Sequence, residues 1–291
     1  MPLVTIADLN GPAEEVTECV QLAKELSLMY DHVASTDDEG KSRAPGIHAS
    51  ELFPCLRRAV YSLQGVERRP RIAKFWRQRF KMGHAVHAFV QADFHELARR
   101  SAMDNAWRQA ELVAKAHDYI IEFEDEVTVA PDKQEVARVF NVHSHCDGLF
   151  KFYNRVTGEL KLRVGLEIKT EAPDGYEKLK EPKEEHVRQT HLYMACLDVP
   201  LMWFFYMNKG NQNNTASTAP YLIAFNTAKW MEIEAQCNQA LEHARNNVLP
   251  DRAEGIWCEF CPWSYTCQPN NMMKLQQRPQ NPKKVSLRVN K

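Results

Sequence analysis

The sequence predicts a mixed α/β domain with a mostly helical N-terminal layer. Two observations carry this. Up to Ala116 the apolar residues recur mainly at helical spacing. From Tyr119 they alternate, as in Ile121, Phe123, Val127 and Val129, and strand-like and helical stretches then follow one another to the C-terminus.

Glu14 to Tyr30 places Val16, Val20, Ala23 and Leu26 on one helical face. Ala34 to Pro45 is polar and reads as a loop. Its Gly40-Lys41-Ser42 is the tail of a phosphate loop, but the leading glycine such a loop needs is Ser35 and no strand precedes it. No ATP-driven motor is therefore expected. A helix is predicted from Ser50, as N-cap, through Leu63, ending near Gly65. Lys74 to Ser101 is a long helical stretch, and Ala102 to Ala116 reads as another. Strands are expected at Tyr119 to Val129, Val139 to Tyr153 and Lys161 to Thr170, the last two joined by a turn at Asn154 to Gly158. Glu181 to Leu197 returns to helix. Leu201 to Asn208 and Tyr221 to Asn226 read as strands around a polar loop, and Thr227 to Val248 as a helix. By domain, residues 1–49 form a helical extension, 50–268 the main body and 269–291 a basic tail.

Composition narrows the function classes. The chain has 291 residues, enough to bury a substantial core, and a formal net charge of −1. No run approaches the length of a membrane-spanning helix, and Met1 to Asn10 lacks the basic and apolar regions of a secretory signal. A cytoplasmic protein with no membrane partner is expected. In a reducing compartment the eight cysteines point to metal or cluster chemistry, or to small buried groups, rather than to disulfides.

The sharpest chemical signal is Leu166-Glu167-Ile168-Lys169. On a strand Glu167 and Lys169 share a face while Leu166 and Ile168 turn to the core. A carboxylate there can bind a hard cation such as Mg²⁺ or Mn²⁺, and an amine can orient water or stabilise developing charge. Asp147, before Gly148 on the preceding strand, can lie beside Glu167, and two close carboxylates repel unless a cation joins them. His87, one helical turn after Gly83, is the candidate nitrogen ligand, with His84, His143 and His145 as alternatives. A glycine at 83 would let another backbone or a DNA strand come close. Gln189 and Tyr193 share a helix face at i and i+4, where they could bond a phosphate or base and pack on a sugar.

Cys258, Cys261 and Cys267 form a C-x₂-C-x₅-C segment. Thiolate sites for zinc or iron–sulfur clusters usually take four, and Cys55 is the best candidate for the fourth. Cys19, Cys146, Cys196 and Cys237 lack ligand spacing, and Cys146 should point away from Asp147. Between Arg57 and Lys81 lie Arg58, Arg68, Arg69, Arg71, Lys74, Arg77 and Arg79, opposed only by Glu67 and interleaved with Phe75, Trp76 and Phe80. Basic groups neutralise phosphates and aromatics stack on unpaired bases, which suits a single-stranded DNA path. Lys274, Arg278, Lys283, Lys284, Arg288 and Lys291 make the tail basic, able to add weak phosphate contacts.

Taken in order, Gly-x-x-x-His, Asp, Glu-x-Lys and Gln-x-x-x-Tyr resemble the PD-(D/E)XK nucleases of the RecB type, over roughly Ser50 to Cys267. One cysteine before the core and three after it resemble the iron–sulfur members, which include the AddB nuclease domain, the CRISPR-associated single-domain exonucleases and RecB-like phage exonucleases. The resemblance implies a restriction-endonuclease-like α/β core, a central mixed sheet flanked by helices. It implies His87, Asp147, Glu167 and the Ile168 carbonyl as ligands of Mg²⁺ or Mn²⁺, and Lys169 as the catalytic lysine. It makes Gln189 and Tyr193 DNA contacts, beside Arg57, Arg58, Arg77 and Trp76 of the basic segment. It implies a structural [4Fe-4S] cluster on Cys55, Cys258, Cys261 and Cys267, with zinc as the alternative. Ser144 departs from the family, which often has glycine three residues before the aspartate. The expected activity is a DNA exonuclease in recombination, repair or end processing, in a bacterial cell or phage-infected host. It would act on single-stranded DNA or a free end, alone or with a separate recombination or annealing protein. A non-catalytic DNA-binding subunit or an endonuclease would be the alternatives.

Overall fold

The computed structural model describes residues 43–69, 74–102, 119–209, 221–255, 257–258 and 261–267, with the backbone alone for 74–80. The expected helices at Glu14 to Tyr30 and Ala102 to Ala116, the Gly40-Lys41-Ser42 loop, Cys19 and the basic tail lie outside the described residues.

The described residues form a mixed α/β domain with a five-stranded sheet flanked by helices. Described helices are α1 Ala49–Leu52, α2 Leu56–Leu63, α3 Lys74–Ser101, α4 Glu135–Phe140, α5 Pro173–Glu177, α6 Glu184–Leu197, α7 Thr227–Arg245 and α8 Ser264–Cys267. The strands are β1 Tyr119–Val129, β2 Ser144–Asn154, β3 Leu160–Glu171, β4 Leu201–Asn208 and β5 Tyr221–Ala224, in spatial order β1-β2-β3-β4-β5. Pairing is antiparallel except between β3 and β4, whose connection carries α6 across the sheet. Asn154 to Gly158 turns β2 into β3, with Gly158 at φ 70°.

Each sheet face carries its own core. Toward α3, Val90 and Phe94 pack on Ile121, Phe150, Val164, Leu166 and Ile168. Phe94 meets the rings of Phe150 and Trp203 edge-on at centroid distances of 5.1 and 5.2 Å. Toward the other face, Met202, Phe204 and Tyr206 of β4 pack with Leu192 and Met194 of α6 and Ile233 and Cys237 of α7. β4 alternates because its α6–α7 face is fully buried while Leu201, Trp203, Phe205 and Met207 on the α3 face are only half-buried.

Three expectations need correction. The helix predicted over Ser50 to Leu63 is broken into α1 and α2 at Phe53-Pro54, where proline cannot donate the helical hydrogen bond. His48, not Ser50, precedes its first turn. Residues 139–143 are not strand: α4 ends at Phe140, Asn141 takes a left-handed conformation at φ 52°, and β2 starts at Ser144. Gly83 faces β3, where a Cβ would sit 3.8 Å from Thr170 Oγ1, an ordinary contact.

Candidate active site

Strand register gathers the site. Asp125 pairs with Gly148 and Val127 with Cys146, which sets Glu126 opposite Asp147. Gly148 pairs with Leu166, and continuing that register by one residue sets Asp147 beside Glu167. Residues 126, 147 and 167 therefore stand at one level across β1, β2 and β3, with the Glu126 carboxylate meeting Gln91 of α3 and that of Glu167 meeting Gln189 of α6. Leu166 and Ile168 turn into the core against α3, as alternation requires, leaving Glu167 and Lys169 toward α6.

Backbone and side-chain bonds hold these residues. The Ile168 N–H donates to Asp147 Oδ2 at 2.7 Å, and His87 Nδ1 of α3 lies 3.4 Å from Asp147 Oδ1. Lys169 Nζ lies 2.5 Å from Glu167 Oε1. Gln189 of α6 donates from Nε2 to Glu167 Oε1 at 3.1 Å and to the Tyr193 hydroxyl at 2.8 Å. Lys169 Nζ also reaches Gln189 Oε1 at 3.5 Å. Cys146 is buried and its thiol donates to the Gly148 and Leu166 carbonyls. The Ser144 hydroxyl accepts from the Ala49 N–H at 3.0 Å, tying the start of β2 to α1 in a way glycine could not.

The site is strongly charged and closes around one fully buried carboxylate. Glu167 is 1% exposed, and its Oε2 has no hydrogen-bond partner. Burial pushes its carboxyl up to about 7; Lys169 opposes that rise and Asp147 adds to it. Burial alone would lower the Lys169 ammonium, but Glu167 and then Asp147 hold it above its ordinary value. Burial likewise opposes protonation of His87, and the Asp147 hydrogen bond and charge outweigh it and raise the imidazole. A nitrogen donor, carboxylates and an unsatisfied buried carboxylate oxygen are the chemistry of a divalent cation site.

Of the sequence candidates, Asp147, Glu167, Lys169, His87, Gln189 and the Ile168 backbone come together. Tyr193 is 3% exposed and meets the site through Gln189. Of the alternative histidines, His143 bonds Asn141 Oδ1 at 3.1 Å. Glu126 is a site neighbour that sequence reasoning missed. One ligand atom each from His87, Glu126 and Asp147 lie within 4.8 Å of one another. Glu126 sits in the acidic run Glu122-Phe123-Glu124-Asp125-Glu126, where nothing local separates one acid from the next.

A second gathering brings Cys55, Cys258, Cys261 and Cys267 around one cavity of about 140 Å³, with Arg57, Arg58 and Tyr61. The C-terminal segment docks on α2 and the loop after it. Trp263 is 1% exposed, donates from Nε1 to the Val66 carbonyl at 2.9 Å and lies under the Arg68 guanidinium. Arg57 donates to the Pro250 carbonyl at 2.9 and 2.6 Å and to Cys267 Sγ at 3.6 Å, so it faces the cysteines. Arg58 Nε is buried without a partner. The side chains of Trp76 and Arg77 lie outside the described residues.

Among the described residues no helix is long and apolar enough to cross a membrane. No family model matches the chain, and no curated protein matches it in sequence. Solved structures similar to it include SSO0001, at 12% identity, 84% of this chain, 96% of that one and a TM-score of 0.45. They also include the alkaline exonuclease LHK-Exo from Laribacter hongkongensis, at 14% identity, 70% of this chain, 90% of that one and a TM-score of 0.38. LHK-Exo in complex with dAMP gives the same identity and coverage at a TM-score of 0.35.

Proposed function

We propose that the chain is a metal-dependent DNA exonuclease of the RecB-like type, with an iron–sulfur cluster closing its ends. The observation that carries this is Asp147 beside the buried Glu167 and Lys169, with Glu167 Oε2 left without a partner. Such a pair fits a Mg²⁺ or Mn²⁺ ion held by His87, Asp147, Glu167 and the Ile168 carbonyl. When bound, the cation supplies Lewis acidity at the phosphodiester.

The chain's own groups do the rest. The Ile168 N–H fixes one oxygen of Asp147 and so presents the other. Gln189, itself bonded to the buried Tyr193, fixes Glu167, so this pair positions the carboxylate. Lys169 carries its charge beside Glu167 Oε1, where it can orient the attacking water and stabilise charge as the P–O bond breaks. DNA, single-stranded or with a free end, is the proposed substrate.

For the cysteines, one cavity of about 140 Å³ is lined by all four, and Arg57 donates to Cys267 Sγ, placing positive charge beside one thiolate. A [4Fe-4S] cluster, which takes four thiolates, is the proposed occupant, with zinc as the alternative.

Labelled linear and circular DNA, single-stranded and duplex, incubated with Mg²⁺ or Mn²⁺ and anaerobically purified protein, test the proposal. Nucleotides released from linear DNA alone support it. Cuts in circles would make the chain an endonuclease, and binding without hydrolysis a non-catalytic subunit.

A further inference from the structure

We propose that Glu126 is a further ligand of the cation, completing with His87 and Asp147 a mixed nitrogen–oxygen set suited to Mn²⁺. This rests on reading the site as a cation centre.

Three observations lead to it. Register places Glu126 opposite Asp147 on β2, with Glu167 at the same level on β3. Carboxylates facing each other across strands repel. The second oxygen of Glu167, which stands beside Asp147 on β3, is buried without a partner, which marks a place for positive charge. Glu126, His87 and Asp147 each offer a ligand atom within 4.8 Å of the others, a spread that a small contraction closes around one ion.

Glu126 is also held there. Its backbone is left-handed, at φ 47°, uncommon for a residue with a Cβ, and this kink departs from the regular alternation of Glu122 and Glu124. Gln91 is 6% exposed and lies one helical turn after His87 on α3. Its Nε2 donates to Glu126 Oε1 at 3.0 Å and to the Asp147 carbonyl at 2.8 Å. The helix that supplies the histidine thus also orients the glutamate and clamps β1 to β2. An imidazole nitrogen among carboxylates favours Mn²⁺ over Mg²⁺, which prefers oxygen alone.

The test is a Mn²⁺ titration of the chelator-stripped full chain without DNA, with free Mn²⁺ read by electron paramagnetic resonance. The isosteric Glu126→Gln keeps an acceptor for Gln91 and removes the charge. Glu126→Asn removes the charge while suiting the left-handed backbone, so weakened binding in it does not come from unfolding. Both should bind Mn²⁺ at least ~10-fold more weakly than wild type. Asp147→Asn should weaken binding as well, and Glu124→Gln, whose carboxylate meets Lys151 instead, should leave it unchanged. Wild-type affinity in both Glu126 variants beside weakened binding in Asp147→Asn would remove Glu126 from the site and leave the cation centre standing. No Mn²⁺ binding by the wild type would overturn both.

Discussion

Glu167→Gln, studied without any cation, should change how stability depends on pH. In the wild type the Glu167 carboxyl is buried and pushed up from an ordinary 4.5 to about 7. Between those values the folded state holds a proton that the unfolded state has lost, so stability falls as pH rises through this window. A rise from 4.5 to about 7, at about 1.4 kcal/mol per pH unit, corresponds to roughly 3 kcal/mol. His87 acts in the same direction. Held above 6.5 through its contact with Asp147, it stabilises the fold at low pH and loses that contribution as pH rises through its folded value. Lys169 is raised from 10.5, so its contribution is complete and flat across neutral pH. The assay is urea unfolding in chelator at pH 5 and pH 8, for wild type and Glu167→Gln. The wild type should lose stability relative to the variant by up to about 3 kcal/mol between the two pH values. Saturating Mn²⁺ should restore most of it, because ligand binding to the folded state adds stability. A difference between the two proteins that does not move with pH would refute the reasoning.

Further outcomes follow from the same geometry. Lys169→Ala should lower cleavage by about 10²- to 10³-fold while leaving Mn²⁺ affinity near wild type, measured by steady-state kinetics beside metal titration. Cys261→Ser should lose iron and brown colour and express less soluble protein; a colourless wild type that carries zinc after anaerobic purification would contradict the cluster. Gly148→Ala should destabilise the fold by about 1–3 kcal/mol in thermal melts and weaken Mn²⁺ binding. Its Cβ would stand 2.5 Å from a ring carbon of Phe123, forcing the strand beside Asp147 to move.

Much of this arrangement is legible in the sequence because periodicity is a local property. Lys74–Ser101, Tyr119–Val129 and Leu201–Asn208 have the bounds that spacing and alternation predict. The projection of Glu167 and Lys169 away from Leu166 and Ile168 follows from strand alternation alone. What local patterns miss depends on partners distant in the chain. Val139 to Val142 has the apolar, β-branched composition of a strand, yet Glu135–Phe140 coils because Ala137 and Phe140 pack into the core shared with α6 and α7. Glu126 is invisible in a run of acids, since only the β1–β2 register and Gln91, 35 residues away, single it out. Arg57 looks like a phosphate contact in a basic segment, but Pro250 and Cys267, brought close by the docked C-terminal segment, take its guanidinium.

The central claim is that Glu167 and Lys169 hydrolyse phosphodiesters with a bound cation. End-labelled linear DNA, digested by wild type and Glu167→Gln with Mn²⁺ and again with excess chelator, tests it most directly. The account predicts progressive release of nucleotides by the wild type with Mn²⁺ alone, and no release by the variant at equal folded concentration. Equal digestion by the variant, or digestion that persists in chelator, would contradict it.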